Sequence, residues 1–154
     1  MNNPLFSRFY YQAPFCDLYF TATSLGITSV RFSRGSTVNN GFDFASLACE
    51  LDAYFSGMPV SFSAPYVYNK STFAGRVLSV LRKTLFGTMI SYGELAAKAG
   101  FSGAARAVGT VMANNPLPLL IPCHRVITSD KKLGGFSSGI GLKRKLLRLE
   151  GVCL

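Results

Sequence analysis

The sequence predicts an α+β protein, with a small antiparallel sheet and one covering helix first, then a mostly helical part built around a helix-turn-helix pattern. Three observations carry this reading. Phe, Tyr, Thr, Val and Ile dominate the stretch from Leu5 to Phe32, broken by Pro14 and Gly26, as short strands and tight turns require. From Phe73 onward the apolar residues recur at helical spacing between glycine stops. Charge divides the chain in the same place. Four basic and four acidic residues balance over 1–74, whereas 75–154 holds twelve Lys/Arg against three acids and so the whole net charge of +9.

Taken in order, Phe9-Tyr10-Tyr11, Cys16–Thr23 and Ile27–Phe32 read as strands, with Ser24-Leu25-Gly26 as a turn. Gly35–Gly41 is a polar loop. Phe44, Leu47, Ala48, Leu51 and Phe55 fall on one helical face, and Gly57-Met58-Pro59 stops that helix. Val60–Thr72, mixed and proline-bearing, reads as a connection between a supporting domain over 1–68 and a second domain over 69–154. Phe73, Val77, Val80, Leu81 and Leu85 predict an amphipathic helix over Phe73–Phe86, ended by Gly87. Ser91 and Glu94 have the spacing of a capping box at the start of a short helix that Gly100 ends. After the turn Phe101-Ser102-Gly103, Ala104–Asn114 predicts a second helix with Val108, Val111 and Met112 inward. Two helices so joined read as a helix-turn-helix, or as a plain αα-hairpin. Ala104, Ala105, Ala107 and Gly109 let the second helix approach another surface closely, and Arg106 is its one long basic side chain.

The chemistry concentrates in Leu119–Ile127, where apolar flanks that read as buried β structure enclose Pro122-Cys123-His124-Arg125. His124 is the only histidine. A cysteine beside it is either a small buried hydrophobe or a nucleophile whose thiolate form a base can favour. Neighbouring side chains on an extended segment point to opposite faces, so a bridging water is the natural relay between the two. Downstream, Gly134-Gly135-Phe136-Ser137-Ser138-Gly139 is a loop able to close over a flat ligand. Leu142, Leu146, Leu147 and Leu149 then line one face of a last helix, with Lys143, Arg144, Lys145 and Arg148 outside. Glu150 stands at the C-terminal end of that helix, where the dipole disfavours an acid, and calls for a partner.

Composition narrows the function classes. At 154 residues, 49% hydrophobic and 15% charged, the chain is globular. No apolar run approaches the ~18 residues of a membrane span, and the N-terminus lacks a signal pattern, so an unprocessed, soluble, cytoplasmic protein is expected. Cys16, Cys49, Cys123 and Cys153 form no CxxC pair and one histidine makes no zinc constellation, so free thiols and no metal are expected. The basic second half predicts a polyanionic partner, nucleic acid first and an anionic membrane second.

On Ile121-Pro122-Cys123-His124-Arg125-Val126, Ala105-Arg106-Ala107-Val108-Gly109, Ser91-Tyr92-Gly93-Glu94-Leu95-Ala96, the Asn115-Pro116 step, Gly134-Gly135-Phe136-Ser137 and Leu146-Leu147-Arg148-Leu149-Glu150-Gly151, the chain resembles the O6-alkylguanine-DNA alkyltransferases, or methylated-DNA–protein-cysteine methyltransferases. The resemblance is close over 73–151 and holds in outline before that. It implies a ribonuclease H-like N-terminal domain and a winged helix-turn-helix-like motif in the second. It implies a partner, double-stranded DNA carrying O6-alkylguanine, bound through the minor groove by a monomer, with no cofactor and no membrane. The family's roles would make Cys123 the alkyl acceptor, His124 its base through a water and Glu150 the carboxylate orienting the histidine. Asn115 would tie the helical motif to the active segment, and Tyr92 would donate toward the guanine. Arg106 would replace the everted base in the duplex, with Ser91, Ala105, Ala107, Gly109 and Arg125 also at the DNA. Pro118, Val126, Phe136 and Ser137 would join Tyr92 around the base. Phe136 stands where some members have tyrosine, which removes a hydrogen bond and leaves stacking. The alkyltransferase-like proteins replace the cysteine with tryptophan, whereas this chain keeps Cys123 and has no tryptophan. Two other classes remain: a non-catalytic helix-turn-helix binder or lesion sensor, and a cysteine hydrolase. The hydrolase is disfavoured because adjacent residues pair poorly and no oxyanion donors are evident.

Overall fold

The structure is a computed structural model and describes residues 6–154; Leu5, the first residue of the strand-rich stretch, lies outside them. The chain is mixed α/β and divides into two compact units, Met1–Tyr68 and Asn69–Leu154.

In the first unit β1 (Ser7–Gln12), β2 (Asp17–Thr23) and β3 (Gly26–Arg31) form an antiparallel sheet in that order. The middle strand alternates: Leu18, Phe20 and Ala22 are buried and the residues between them are half-buried, so one face makes the core. α1 (Ala45–Phe55) turns Leu47, Leu51, Tyr54 and Phe55 inward. Phe44, just before it, stacks on Phe9 at 5.1 Å, and Phe55 stacks on Tyr11 at 6.0 Å. The predicted connection over 60–72 does more than connect. Ile27 N donates to Pro65 O at 2.8 Å and Val67 N to Ile27 O at 2.8 Å, so part of it lies along β3. Gly26 permits this: its φ is +141°, and a Cβ there would stand 2.6 Å from Pro65 O.

The second unit opens with α2 (Phe73–Leu81), whose first turn is capped by Thr72 Oγ1 accepting from Gly75 N at 3.0 Å. The helix predicted to reach Phe86 ends at Leu81. Thr84 takes the Leu81 carbonyl through both its backbone N–H, at 3.0 Å, and its hydroxyl, at 2.7 Å, which tightens the chain out of the α-helix. Leu85 is therefore 72% exposed and no part of the apolar face. β4 (Ile90–Ser91) leads into α3 (Tyr92–Lys98), and the capping box forms in both directions: Glu94 N to Ser91 Oγ at 3.1 Å, Ser91 N to Glu94 Oε2 at 2.9 Å. α4 (Ala105–Ala113) packs on α3, burying Val108, Val111 and Met112 with Leu95 and Ala96.

The flanks of Cys123 differ from the β structure read in the sequence. Only Val126–Ile127 forms a strand, β5, parallel to β4. Leu119 sits in a turn at φ +73°, and Cys123–Arg125 is a single 3₁₀ turn. Pro116, Pro118 and Pro122 remove the backbone donors that a ladder needs. α5 (Ile140–Leu149) closes the unit with Leu146 and Leu147 buried. Lys143, expected outside, is buried with them. No helix among the described residues is long and apolar enough to cross a membrane.

Candidate active site

The 3₁₀ turn sets the geometry. Three residues per turn send the side chains of Cys123, His124 and Arg125 in three directions, and all are buried, at 5%, 1% and 6% exposure. Asn115, two residues beyond α4, braces the preceding segment: its Nδ2 donates to Ile121 O at 2.9 Å and its Oδ1 accepts from Leu117 N at 3.0 Å.

Glu150, the acid left at the end of α5, has its partners. His124 Nε2 lies 2.7 Å from Oε1. Arg125 grips the carboxylate with both prongs, Nε to Oε2 at 2.9 Å and Nη2 to Oε1 at 3.0 Å, and Gly87 N donates to Oε2 at 3.0 Å. Arg125 Nη1 also donates to Thr84 O at 2.6 Å, binding the turn after α2 into the cluster. Arg125 was expected at the DNA; buried in this pair, it is a structural partner of Glu150 and has no free face to offer a phosphate.

The charges follow from these contacts. Burial would raise the Glu150 pKa, but its bonds to His124 and Arg125 outweigh that and hold it at about 2. Burial pushes His124 below the ordinary imidazole value, against the pull of Glu150. The imidazole is then neutral at pH 7, and its Nε2–H bond together with the two-pronged arginine keeps Glu150 ionised. A neutral ring beside a carboxylate carries its proton on Nε2 and donates it, which leaves Nδ1 basic. Burial raises the Cys123 thiol, while Asn115 and the positive charge of Lys143 pull it down. Burial, and then Cys123, raises Tyr92, so its hydroxyl stays a proton donor.

Cys123 opens into a cavity of about 110 Å³. Tyr92 from α3 and Gly109, Met112 and Ala113 from α4 line one side; Gly135, Phe136 and Ser137 line the other. The volume is small beside the ~300–1,000 Å³ of ordinary ligand sites, which suits a small flat group. Gly134 fits against Tyr92 only without a side chain, since a Cβ would stand 3.1 Å from the hydroxyl and φ is +69°.

Of the residues expected around a base, the structure thus brings Tyr92, Phe136 and Ser137 together with Cys123. It does not bring Val126, which is fully buried with its carbonyl taken by Lys143, or Pro118, which lies off the cavity wall. On α4, Arg106 and Ala107 are exposed, Ala105 is half-buried, and Gly109 faces the cavity. Ser91 spends its hydroxyl on the capping box. Sequence reasoning named the Gly135 loop but did not place Met112 or Ala113 at the cavity, and it missed the burial of Lys143. A signal existed: Met112 and Ala113 lie three and four residues beyond Gly109, and Lys143 three and four before Leu146 and Leu147, which puts each on a shared helix face. Among the described residues no three His, Cys, Asp or Glu side chains are grouped to hold a metal ion, and all four cysteines are free.

Comparison with known proteins gives a consistent result. Residues 72–152 match the family model described as 6-O-methylguanine DNA methyltransferase, DNA binding domain. A methylated-DNA–protein-cysteine methyltransferase of Methanosarcina acetivorans is 33% identical over 151 residues, covering 93% of this chain and 97% of that protein. One of Metallosphaera sedula is 39% identical over 145 residues, covering 92% and 90%. The crystal structure of Mycobacterium tuberculosis OGT in complex with DNA superposes with a TM-score of 0.84 at 34% identity, covering 94% of this chain and 92% of that one. With the match spanning both units and the cysteine cluster intact, this chain belongs to the 6-O-methylguanine DNA methyltransferase family.

Proposed function

We propose that the protein repairs DNA by taking the alkyl group from O6-alkylguanine, chiefly O6-methylguanine, onto Cys123, and that each molecule acts once. The observation that carries this is the opening of Cys123 into a partly open cavity beside a neutral histidine that is itself held by an ionised carboxylate. The thiol proton passes through a water to Nδ1 of His124, since Nε2 is engaged by Glu150. The thiolate then attacks the alkyl carbon, a C–S bond forms as the C–O6 bond breaks, and the electron pair leaves with the guanine. Attack on sp³ carbon builds no oxyanion, so help goes to the leaving base, and the Tyr92 hydroxyl is the donor at hand. The product is a thioether that nothing in the chain reverses.

The target atom lies inside the base stack, so the nucleotide is everted into the cavity, at a cost of a few kcal/mol that poor pairing of a damaged base reduces. Phe136 stacks on the base and Ser137 offers it a hydrogen bond. We further propose that α3 and α4 act as a winged helix-turn-helix-like motif that docks in the minor groove, while the N-terminal sheet is a ribonuclease H-like support. The exposed Arg106 and the small, exposed Ala107 fit close groove contact with an inserted side chain filling the gap. The protein acts as a cytoplasmic monomer, on the nucleoid.

Incubation with duplex DNA carrying O6-methylguanine, followed by mass spectrometry, is expected to find one added methyl per chain, on Cys123. Turnover without modification, or binding without transfer, would overturn the reading; the latter would leave a lesion-sensing binder. Arg106→Ala is expected to slow transfer from duplex DNA about 10-fold or more, on the scale of an inserted group worth 1–3 kcal/mol. It should leave reaction with the free O6-alkylated base nearly unchanged. Equal losses on both substrates would remove the insertion role.

A further inference from the structure

Among the described residues, two that are not glycine take a left-handed backbone: Leu119 at φ +73° and Lys131 at φ +62°. Leu119 is held there by its side chain, packed in the core at 3% exposure. Lys131 buries nothing. Its side chain is exposed, and no acid pairs with it among the described residues. The loop around it is tightly tied. Lys131 N donates to Thr128 O and Thr128 N to Lys132 O, both at 3.0 Å, and Lys132 N donates to the Thr128 hydroxyl oxygen at 3.0 Å. Thr128 and Lys132 thus close a three-residue hairpin loop, and the last residue of such a loop is left-handed and ordinarily glycine. This chain sets a lysine there. Lys132 is paired with Asp130 at 3.1 Å, and the Thr128 hydroxyl donates to Asp130, which leaves Lys131 as the unmatched charge of the loop.

The position of the loop gives that charge a use. A Cβ on Gly134 would meet both the Tyr92 hydroxyl, at 3.1 Å, and Thr128 Cγ2, at 3.4 Å, so the base of the loop stands beside the Tyr92 wall of the cavity. Three residues of chain span at most about 11 Å, which keeps the exposed Lys131 at the surface next to that wall. A base seated against Cys123 draws the phosphates on either side of its sugar to the same surface. α4 offers them one cation, Arg106, which the proposed function assigns to the gap in the duplex. We propose that Lys131 binds a backbone phosphate within two nucleotides of the everted base, and that the strained turn serves to hold its ammonium there. This rests on the reading that DNA docks with an alkylated guanine in the cavity. An ammonium on a flexible stem suits a phosphate and reads no base, and the closed loop leaves little but that stem to be ordered on binding.

The test measures binding to an O6-methylguanine duplex by fluorescence anisotropy, using the full chain with Cys123→Ser so that the lesion persists. Lys131→Gly and Lys131→Arg are each added to that parent. Glycine is the residue this φ favours, so Lys131→Gly keeps the turn and the melting temperature. It is expected to weaken binding about fivefold near 0.1 M salt and to lower the slope of log affinity against log salt by about 0.9, as the loss of one phosphate contact does. Lys131→Arg is expected to keep both. Uncharged methylphosphonates are then placed one at a time around the lesion. At one phosphate within two nucleotides of it, the difference between the parent and Lys131→Gly is expected to vanish, as for two partners of a single contact. Parental affinity and slope in Lys131→Gly, or an equal loss in Lys131→Arg, would overturn the proposal. So would a loss that no single methylphosphonate cancels, which would leave only a diffuse field. If the wild-type chain accepts no methyl while the duplex still binds, the repair reading fails alone, and these affinities still decide the role of Lys131. If no duplex binds, both fail.

Discussion

Cys123→Ser is expected to abolish methyl transfer, by at least ~10⁴-fold, while the variant still binds duplex DNA. A hydroxyl in the place of the thiol leaves the cavity, the histidine and the basic surface intact, but it is almost never ionised near neutral pH. Loss of a covalent nucleophile in other enzymes costs on this scale or more. Phosphate contacts, which set most of the DNA affinity, are untouched, so binding should stay within about threefold of wild type. The measurement is transfer of methyl from an O6-methylguanine duplex followed by protein mass, with binding read separately by fluorescence anisotropy. Residual stoichiometric methylation of Cys123→Ser at Cys16, Cys49 or Cys153 would move the acceptor elsewhere.

Glu150→Gln is expected to damage both the fold and the reaction. The carboxylate is the common partner of His124 and Arg125, and it accepts from Gly87 N. Replacing it leaves the buried guanidinium uncompensated, which costs about 3–5 kcal/mol. Transfer in the molecules that stay folded should fall about 10²-fold or more, because a neutral amide no longer offsets the positive charge His124 gains on taking the thiol proton, and Nδ1 becomes a weaker base. The pH dependence has a definite sign. Glu150 is held at about 2, below its ordinary 4.5, so its stabilisation is whole above the unfolded value and disappears as pH falls from 4.5 toward 2. Its size is on the order of 3 kcal/mol. His124 is depressed below 6.5 by burial, so acid works against the fold there too, beginning below the unfolded value. Denaturant melts should therefore show wild-type stability declining from about pH 6.5 downward, more steeply below 4.5. The steeper step should be missing from Glu150→Gln. A variant that keeps it would mean another carboxylate is responsible.

The sheet-and-helix lobe, the capping box and the short helix pair were legible in the sequence because local rules decide them. Strand alternation in Asp17–Thr23, the Ser91–Glu94 spacing and the glycine stops each act within a few residues. The cysteine proposed as acceptor, its neighbouring histidine and the need of Glu150 for a partner were also legible, since an acid at a helix C-terminus and a lone histidine beside a thiol are anomalies in one dimension. The end of α2 at Leu81 was not, because the local bonds of Thr84 to the Leu81 carbonyl are joined by Arg125, 41 residues along the chain, which takes the Thr84 carbonyl. Nor were the places of Arg125 and Lys143. Charged residues are normally assigned to water, and only the fold can supply enough buried acceptors to hold them inside. Glu150 does so for Arg125, 25 residues away, and three carbonyls do so for Lys143. Sequence alone therefore singled out the groups proposed to carry the chemistry. Tertiary structure decided which of them meet, because desolvating a charge is favourable only where partners from distant segments converge on it.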